Sequence, residues 1–482
     1  MDVEAYRAGV ETFISELERE YVLHLSGRKV EFEIEVIYER HAALFERATV
    51  ERLRDGAVDS APELVRFAVE GHIGQATKAE AAEVARLEAT LTVPVGSEEL
   101  PYRRTTIEQA NEPSPDRRAA LDAARLAVMD ARLNPLHAEA HERAESIARE
   151  LGWTSTLAMC EELGGIDLRT LGRQAEAFLA ASDPWYEEVM APELERELGF
   201  GMDRLRRSDI AAFMRGAELD WAFPEDRLLP AYELTLEGMG LDGTGVLIDL
   251  EDRPNKTPRA FCAPVRVPDE VHLVMALIGG REDYEILMHE AGHAHHFSRV
   301  ARELPVEARY LGDNSVTEGF AFLFQHLVAA PEWLEAALGV HEPLTLIRHA
   351  RATRSLMLRR YAAKLLYELE LHGGELDGRA PERYAQRLSD AVRVDWPRES
   401  WITDVDAFFY AARYLRAWAF ETHLRRLLAE RFGARWFAEP EAGALLRSLW
   451  SRGQASSADE LLGELTGERL DLSAVARDLA PA

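Results

Sequence analysis

Cysteine is almost absent from this chain: only Cys160 and Cys262 occur in 482 residues. Two thiols cannot build a disulfide framework or an ordinary thiolate zinc site. Lysine is nearly as scarce, confined to Lys29, Lys78, Lys256 and Lys364. The basic residues are therefore almost all arginine, a bias we attribute to composition and not to mechanism. Positive charge as a whole is in deficit, with 56 Lys and Arg against 85 Asp and Glu, for a formal net charge of −29. Phosphate binding needs a cationic surface, so this balance argues against nucleic acid as a partner. It keeps the protein dissolved and could favour cationic ligands, although a solvated acidic surface accounts for it alone. No run of about 18 apolar residues exists, which argues against a membrane span. The stretch Met1-Asp2-Val3-Glu4-Ala5 is acidic and has no apolar core, so no secretory signal is expected. Together these absences predict a soluble protein of a reducing, cytoplasmic setting.

What is present is mostly helical pattern. At 482 residues the chain is too long for one compact core, and two or three core-forming regions are expected. Apolar spacings of three and four, as in Val10, Phe13, Ile14 and Leu17, predict amphipathic helices over residues 1–91. Thr92 to Pro113, with three prolines, reads as a connector. Ser114-Pro115-Asp116 then opens a helix expected to run to about Leu151, where Gly152 ends it. A further helix from Arg169 to Leu198 is expected to break or kink at Pro184 and Pro192. Near residue 240 the texture changes. Arg259 to Val265 and Val271 to Leu277 read as two strands joined by a proline-bearing turn. The predicted fold class is mostly α, with one small β-sheet just before the segment that carries the chemistry.

That segment is His289-Glu290-Ala291-Gly292-His293, in a run predicted to be helical from Glu282 to Val300. Residues four apart share a helix face, so both imidazoles can reach one metal ion. Glu290 lies one step round, placed to serve as general base for a water at that ion. By composition such a pentad arises by chance in about one chain in twenty of this length, so its setting matters. A catalytic zinc site usually takes a third protein ligand. The variant with Gly and His three and six residues past the second His does not apply, because those positions are His296 and Arg299. A glutamate on a second helix is the other common solution. Glu318, 25 positions after His293, is the best candidate. Ser315-x-x-Glu318 also matches a capping box, in which the glutamate would bond to backbone at a helix start. Asp313 or Asn314 could cap instead and leave Glu318 free to face inward.

These residues together resemble the thimet oligopeptidase and oligoendopeptidase F family of H-E-x-x-H zinc peptidases, which are gluzincins. The family pattern is an Asp a few residues before H-E-x-G-H-A-x-H. Here Asp283 lies six before His289, Gly292 and Ala294 fit, and His296 matches the last His. The family's third ligand is a glutamate at the spacing of Glu318. Arg259-Ala260-Phe261-Cys262 is similar to the strand that precedes the motif. The resemblance spans about residues 258 to 325. It implies one Zn²⁺ held by His289, His293 and Glu318, with Glu290 as general base for hydrolysis of oligopeptides. It also implies a helical shell around a deep channel. Residues 1–205 would form one wall and 206–482 the zinc-bearing region. The strand Val271 to Leu277 would pair with an extended substrate.

Two positions depart from the family. Its second glutamate, seven beyond the ligand glutamate, is Gln325 here. A neutral amide can still bond to a ligand but adds less basicity. The family's C-terminal tyrosine cluster corresponds to Asp406 to Leu415, where one alignment selects Tyr410 and the other Tyr414. Either would donate a hydrogen bond to the transition state. Asp283 is either an acid favoured at a helix start or a support to the ligands. His296 is either such a support or a core histidine, and His295 reads as solvated. Arg351, Arg354, Arg359 and Arg360 read as solvated faces of one helix that could also meet a substrate carboxylate. Two other functions stay open. One is a carboxypeptidase or other amide hydrolase on the same zinc site. The other is a non-enzymatic helical binding protein with a weakened site, the reading that Gln325 would favour.

Overall fold

Helices carry most of the chain in the computed structural model, which describes residues 2–55, 61–253, 256–257, 259–374 and 377–481. Among these residues no helix is long and apolar enough to cross a membrane. Five strands occur among them: β1 Thr92–Val95, β2 Glu98–Pro101, β3 Val246–Asp249, β4 Phe261–Arg266 and β5 Glu270–Val274. The chain divides into two compact units. The first comprises Met1–His72, Leu219–Ile347 and Arg416–Ala474; the second comprises Ile73–Glu218, Arg348–Leu415 and Val475–Ala482. The single cut expected at 205/206 is thus replaced by interleaved segments.

The first unit holds the three-stranded sheet in the order β3-β5-β4, with β3 parallel and β4 antiparallel to β5. The two strands read from sequence are present, each shorter than expected. β5 is central, so both its edges are already paired and it cannot accept an extended peptide as the sequence reading implied. β4 and β5 pack on the helix Arg281–Phe297, which carries the H-E-x-x-H residues; we call it the motif helix. Its start is set by Gly280, whose φ is 74° and where a Cβ would fall 2.0 Å from Asp220 Oδ1. The helix Asn314–Leu327 lies against it and carries Glu318; we call it the ligand helix. The intervening chain includes a π-helical turn, Glu307–Leu311, tied to the first helix, Val3–Leu25, by Arg309 to Glu11 and Arg7 to Glu307. The Tyr310 hydroxyl accepts the Val267 N–H at 2.7 Å.

In the second unit β1 and β2 form an antiparallel hairpin where a connector was expected. The alternation Val93, Val95 buries one face of β1, and those residues pack with Leu121, Leu126 and Met129. The long helix expected from Ser114 is two, Pro115–Arg132 and Asn134–Glu150. Pro135, within the first turn of the second, explains the break. The helix Leu168–Leu198, by contrast, runs through Pro184 and Pro192. Tyr186, Met190 and Leu194, all fully buried in the unit's main core, supply packing that outweighs the two missing amide donors.

That core sits beside a charged network. Lys364 Nζ lies 2.9 Å from Asp406 Oδ2, Arg360 pairs with Asp404, and the Tyr384 hydroxyl donates to Asp404 at 2.6 Å. Arg359 is buried and donates to the Ala391 and Leu179 carbonyls and to Asp183. Arg359 and Arg360 are therefore internal braces, not the solvated face that the sequence suggested. Glu368 Oε1 accepts the Asp406 N–H at 2.8 Å, and burial pushes the Glu368 carboxyl up to about 8 against the opposing pull of Lys364. The folded state then binds a proton that the unfolded chain has released, so stability falls as pH rises from the ordinary carboxyl range through about 8. Glu368→Gln keeps an acceptor without the charge. Its urea midpoint should rise relative to the parent between pH 5 and pH 8, and a pH-independent difference would disprove the buried ionisation.

Candidate metal centre

The site begins with a glycine. A Cβ on Gly292 would stand 2.5 Å from Ala321 Cα and 2.5 Å from the Phe320 carbonyl oxygen, so the motif and ligand helices meet backbone to backbone here. Gly319, on the other helix, leaves room in the same way for the Phe420 ring. This approach brings Glu318 opposite the two histidines. Asp313 caps the ligand helix, accepting the Ser315 N–H at 3.0 Å. The capping-box reading of Ser315 and Glu318 therefore does not hold. Glu318 is the fifth residue of the helix, one turn in, and its carboxylate is free of capping duty. Asp313 is itself held by Arg416, whose Nη2 lies 2.8 Å from Oδ2 and whose other arm reaches Asp459 at 2.5 Å. Despite burial, Arg416 keeps the Asp313 carboxyl well below the usual range.

Glu318 Oε2 lies 3.5 Å from Nε2 of His289 and 3.5 Å from Nε2 of His293. Donors each about 2.1 Å from a tetrahedral zinc stand about 3.4 Å apart, so these separations suit a zinc ion. The far side of each ring is fixed as well. His289 Nδ1 meets Gln325 Oε1 at 2.9 Å, and His293 Nδ1 meets Thr317 Oγ1 at 2.9 Å. The Gln325 carbonyl can only accept, so the His289 ring proton sits on Nδ1 and its Nε2 lone pair faces Glu318. Thr317 can hold His293 in the same tautomer. Among the described residues, the three donor atoms lie within 4.8 Å of one another. The donor set of two imidazoles and one carboxylate fits Zn²⁺.

Electrostatics agree with this geometry. Burial by itself would raise the Glu318 carboxyl, but His293 and His289 more than offset it and hold it well below the usual carboxylate range. Burial would lower His289, yet Glu318, Glu290 and Gln325 together carry it above its ordinary value. The pocket is thus a negatively charged, partly dehydrated place for a cation. Cys262, on β4, is pushed up by burial and by the charges of Glu290 and Glu18, so its thiol is not a nucleophile. Glu18, from the first helix, gave no signal in the sequence. Burial raises its carboxyl to about 7. Phe322, also missed, sets its ring 5.2 Å from His289 and stacks on Trp418 at 4.7 Å.

Three neighbouring readings change. The Asp283 carboxylate accepts the Ile278 and Gly279 N–H groups at 3.0 and 2.8 Å, so it closes the turn before the motif helix instead of supporting a ligand. His296 is fully buried, packed on the Phe297 and Phe320 rings at 5.2 Å each; burial lowers it to about 3, and it is a core residue. His295 is not solvated. It is fully buried, with Tyr232 Oη 2.8 Å from Nε2 and Arg299 donating to Nδ1 at 2.9 Å. Tyr410 and Tyr414 belong to the second unit, where their ring centroids stand 5.0 Å apart and Tyr414 also meets Tyr361 at 5.3 Å.

Compared with protein-family models and with curated proteins, the chain matches none. The chemical reading of the site therefore rests on its residues and their arrangement.

Two substitutions test the arrangement. Gly292→Ala forces backbone apart and should cost about 2 kcal/mol or more in chemical denaturation, with weakened zinc binding. Gln325→Leu should fold normally but bind zinc about 10- to 100-fold more weakly, since only the orientation of His289 is lost. Unchanged zinc affinity in a competition titration would remove Gln325 from the site.

Proposed function

We propose that the protein is a zinc-dependent metallopeptidase that hydrolyses oligopeptides. The observation that carries this reading is the convergence of His289, His293 and Glu318 donors at zinc-like separations, with Glu290 beside them on the same helix. When bound, zinc supplies Lewis acidity, which lowers the pKa of a coordinated water and polarises a carbonyl. His289, His293 and Glu318 would hold the ion, and Gln325 and Thr317 keep the two rings turned toward it. A binding protein has no need of Glu290. A hydrolase needs a base beside its water and an acid for the leaving group. Glu290 takes the proton of the attacking water and returns it to the departing amine, work typically worth 10²- to 10⁴-fold in rate. An extended peptide that pairs with the sheet must use an edge strand, β3 or β4, with main-chain hydrogen bonds that do not read sequence.

The competing readings lose their main supports. Gln325 does not leave His289 without an orienting acceptor, so it does not by itself weaken the site. Arg359 and Arg360, considered as anchors for a substrate carboxylate, are engaged in internal hydrogen bonds and ion pairs. Either tyrosine of the pair Tyr410 and Tyr414 remains our candidate for a transition-state donor, worth about 3 kcal/mol of barrier.

The test is hydrolysis of a mixed library of short peptides by zinc-loaded protein, with cleavage positions mapped by mass. Internal cuts are expected. Glu290→Gln should keep its zinc and lose at least about 100-fold in rate. Glu318→Ala should lose most of its zinc. No cleavage by the parent, or equal cleavage by Glu290→Gln, would end the peptidase reading, while removal of single C-terminal residues would favour a carboxypeptidase.

A further inference from the structure

A second group with metal-ligand chemistry lies in the second unit, where the sequence gave no motif. His141 and Glu145 stand four apart on the helix Asn134–Glu150, and so share one face. His372 comes from the last turn of the helix Leu344–Gly373. All three are buried, with 9%, 4% and 7% of their surface exposed in that order. One donor atom from each lies within 4.8 Å of the other two. Glu145 Oε1 stands 3.3 Å from His372 Nδ1, and the His141 and His372 ring centroids are 5.0 Å apart.

Three features suit a cation better than a simple hydrogen-bonded cluster. First, Nε2 of His141 and Nε2 of His372 are both buried without a hydrogen-bond partner among the described residues. Buried imidazole nitrogens are ordinarily satisfied, so two orphaned ones around one carboxylate ask for a ligand. Second, the other carboxylate oxygen is already fixed. Glu145 Oε2 accepts the Thr156 N–H at 3.2 Å, which aims Oε1 at His372, as an outer partner aims a metal-bound carboxylate. Arg149, at 4.0 Å from Oε2, is the only other charge recorded beside it, on the side away from His372 Nδ1. Third, burial and the neighbouring His372 lower His141 to about 4, so its ring is neutral and its lone pair available at neutral pH. Burial works against the Glu145 carboxylate, but His372 and Thr156 outweigh it and keep it ionised. The Phe409 ring, 5.0 Å from His372, adds an apolar wall.

We propose that His141, Glu145 and His372 form a second, structural site for a divalent transition cation, for which Zn²⁺ is the probe. The 3.3 Å separation of Glu145 Oε1 and His372 Nδ1 is the edge expected of a tetrahedral zinc site, about 3.3 to 3.4 Å. The ion replaces the proton shared between those two atoms and ties the end of one helix to the middle of another. It takes no part in hydrolysis, and the proposal stands whether or not the His289 centre is catalytic.

The test counts ions on the full-length protein. Protein stripped with chelator during unfolding, refolded with excess Zn²⁺ and desalted should carry two zinc per chain by elemental analysis. Glu318→Ala should carry one, and Glu145→Gln, which keeps an acceptor for the Thr156 amide, should also carry one. Glu145→Gln should in addition melt at a lower temperature than the zinc-loaded parent, and chelator should move its melting point less. If Glu145→Gln binds as much zinc as the parent, the proposal fails. Should that variant not fold, cobalt titration of Glu318→Ala decides: one equivalent giving the visible bands of a four-coordinate His/carboxylate site supports the second site, and no bands overturn it. A parent with one zinc that survives Glu318→Ala and is lost in Glu145→Gln would uphold this site while sinking the peptidase reading.

Discussion

The contact between Gly292 and the backbone of Phe320 and Ala321 governs the whole first unit. Helices with side chains between them pack about 8–10 Å apart, and at that distance a glutamate on one reaches two histidines on the other only in an extended, loosely held rotamer. Removing the side chain at Gly292 lets the ligand helix settle onto the motif helix, so that Glu318 meets both Nε2 atoms at the same 3.5 Å. A glycine in mid-helix costs about 1 kcal/mol against alanine. That cost is offset by what surrounds it. Asp313 caps the ligand helix and is itself gripped by Arg416, which also holds Asp459. The connecting chain is pinned by Arg309 and Arg7 to glutamates of other elements. The helix pair is therefore clamped at its crossing and at the start of its second member.

The same logic separates the two kinds of buried charge in this protein. Around Glu318 the charges are complementary and close, and the carboxylate stays ionised in spite of burial. Around Glu368 one lysine is shared among Asp404, Asp406 and Glu368, and burial prevails, so that carboxyl takes up a proton near neutral pH. Breaking a buried ionic network by removing one partner strands the rest, which explains why the second unit surrounds its network with donors from Arg360 and Tyr384.

The helical class and the metal motif were legible because both rest on local spacing. His289 and His293 declare themselves four apart, and Glu290 between them narrows the chemistry. Glu318 was legible only as a choice between a ligand and a cap, because a capping box and an inward-facing glutamate share one local pattern. Asp313, held by a residue 103 positions away, settled that choice, and no local reading contains Arg416. Long-range partners account for the other misreadings as well. His295 looked solvated until Tyr232 and Arg299 closed on it. Asp283 looked like a supporting acid until its oxygens proved to be spent on two amides of the preceding turn. The strand after Pro268 was found, yet its place in the middle of the sheet depended on β3, whose pairing is parallel and non-local.

The two His/Glu groups make the same point about function. One has both histidines on a single helix and borrows a glutamate from its neighbour. The other has a histidine and a glutamate on one helix and borrows a histidine from residue 372. Their donor sets are alike, but only the first carries a spare carboxylate, Glu290, beside the donors. The second has a fixed outer amide, a shielding ring and no base of its own. Two imidazoles and a carboxylate thus say that a cation fits, and the fourth residue says what the cation is for. A free base beside the donors argues for chemistry on a water, whereas a donor set walled by Phe409 and tied to a helix start argues for a brace.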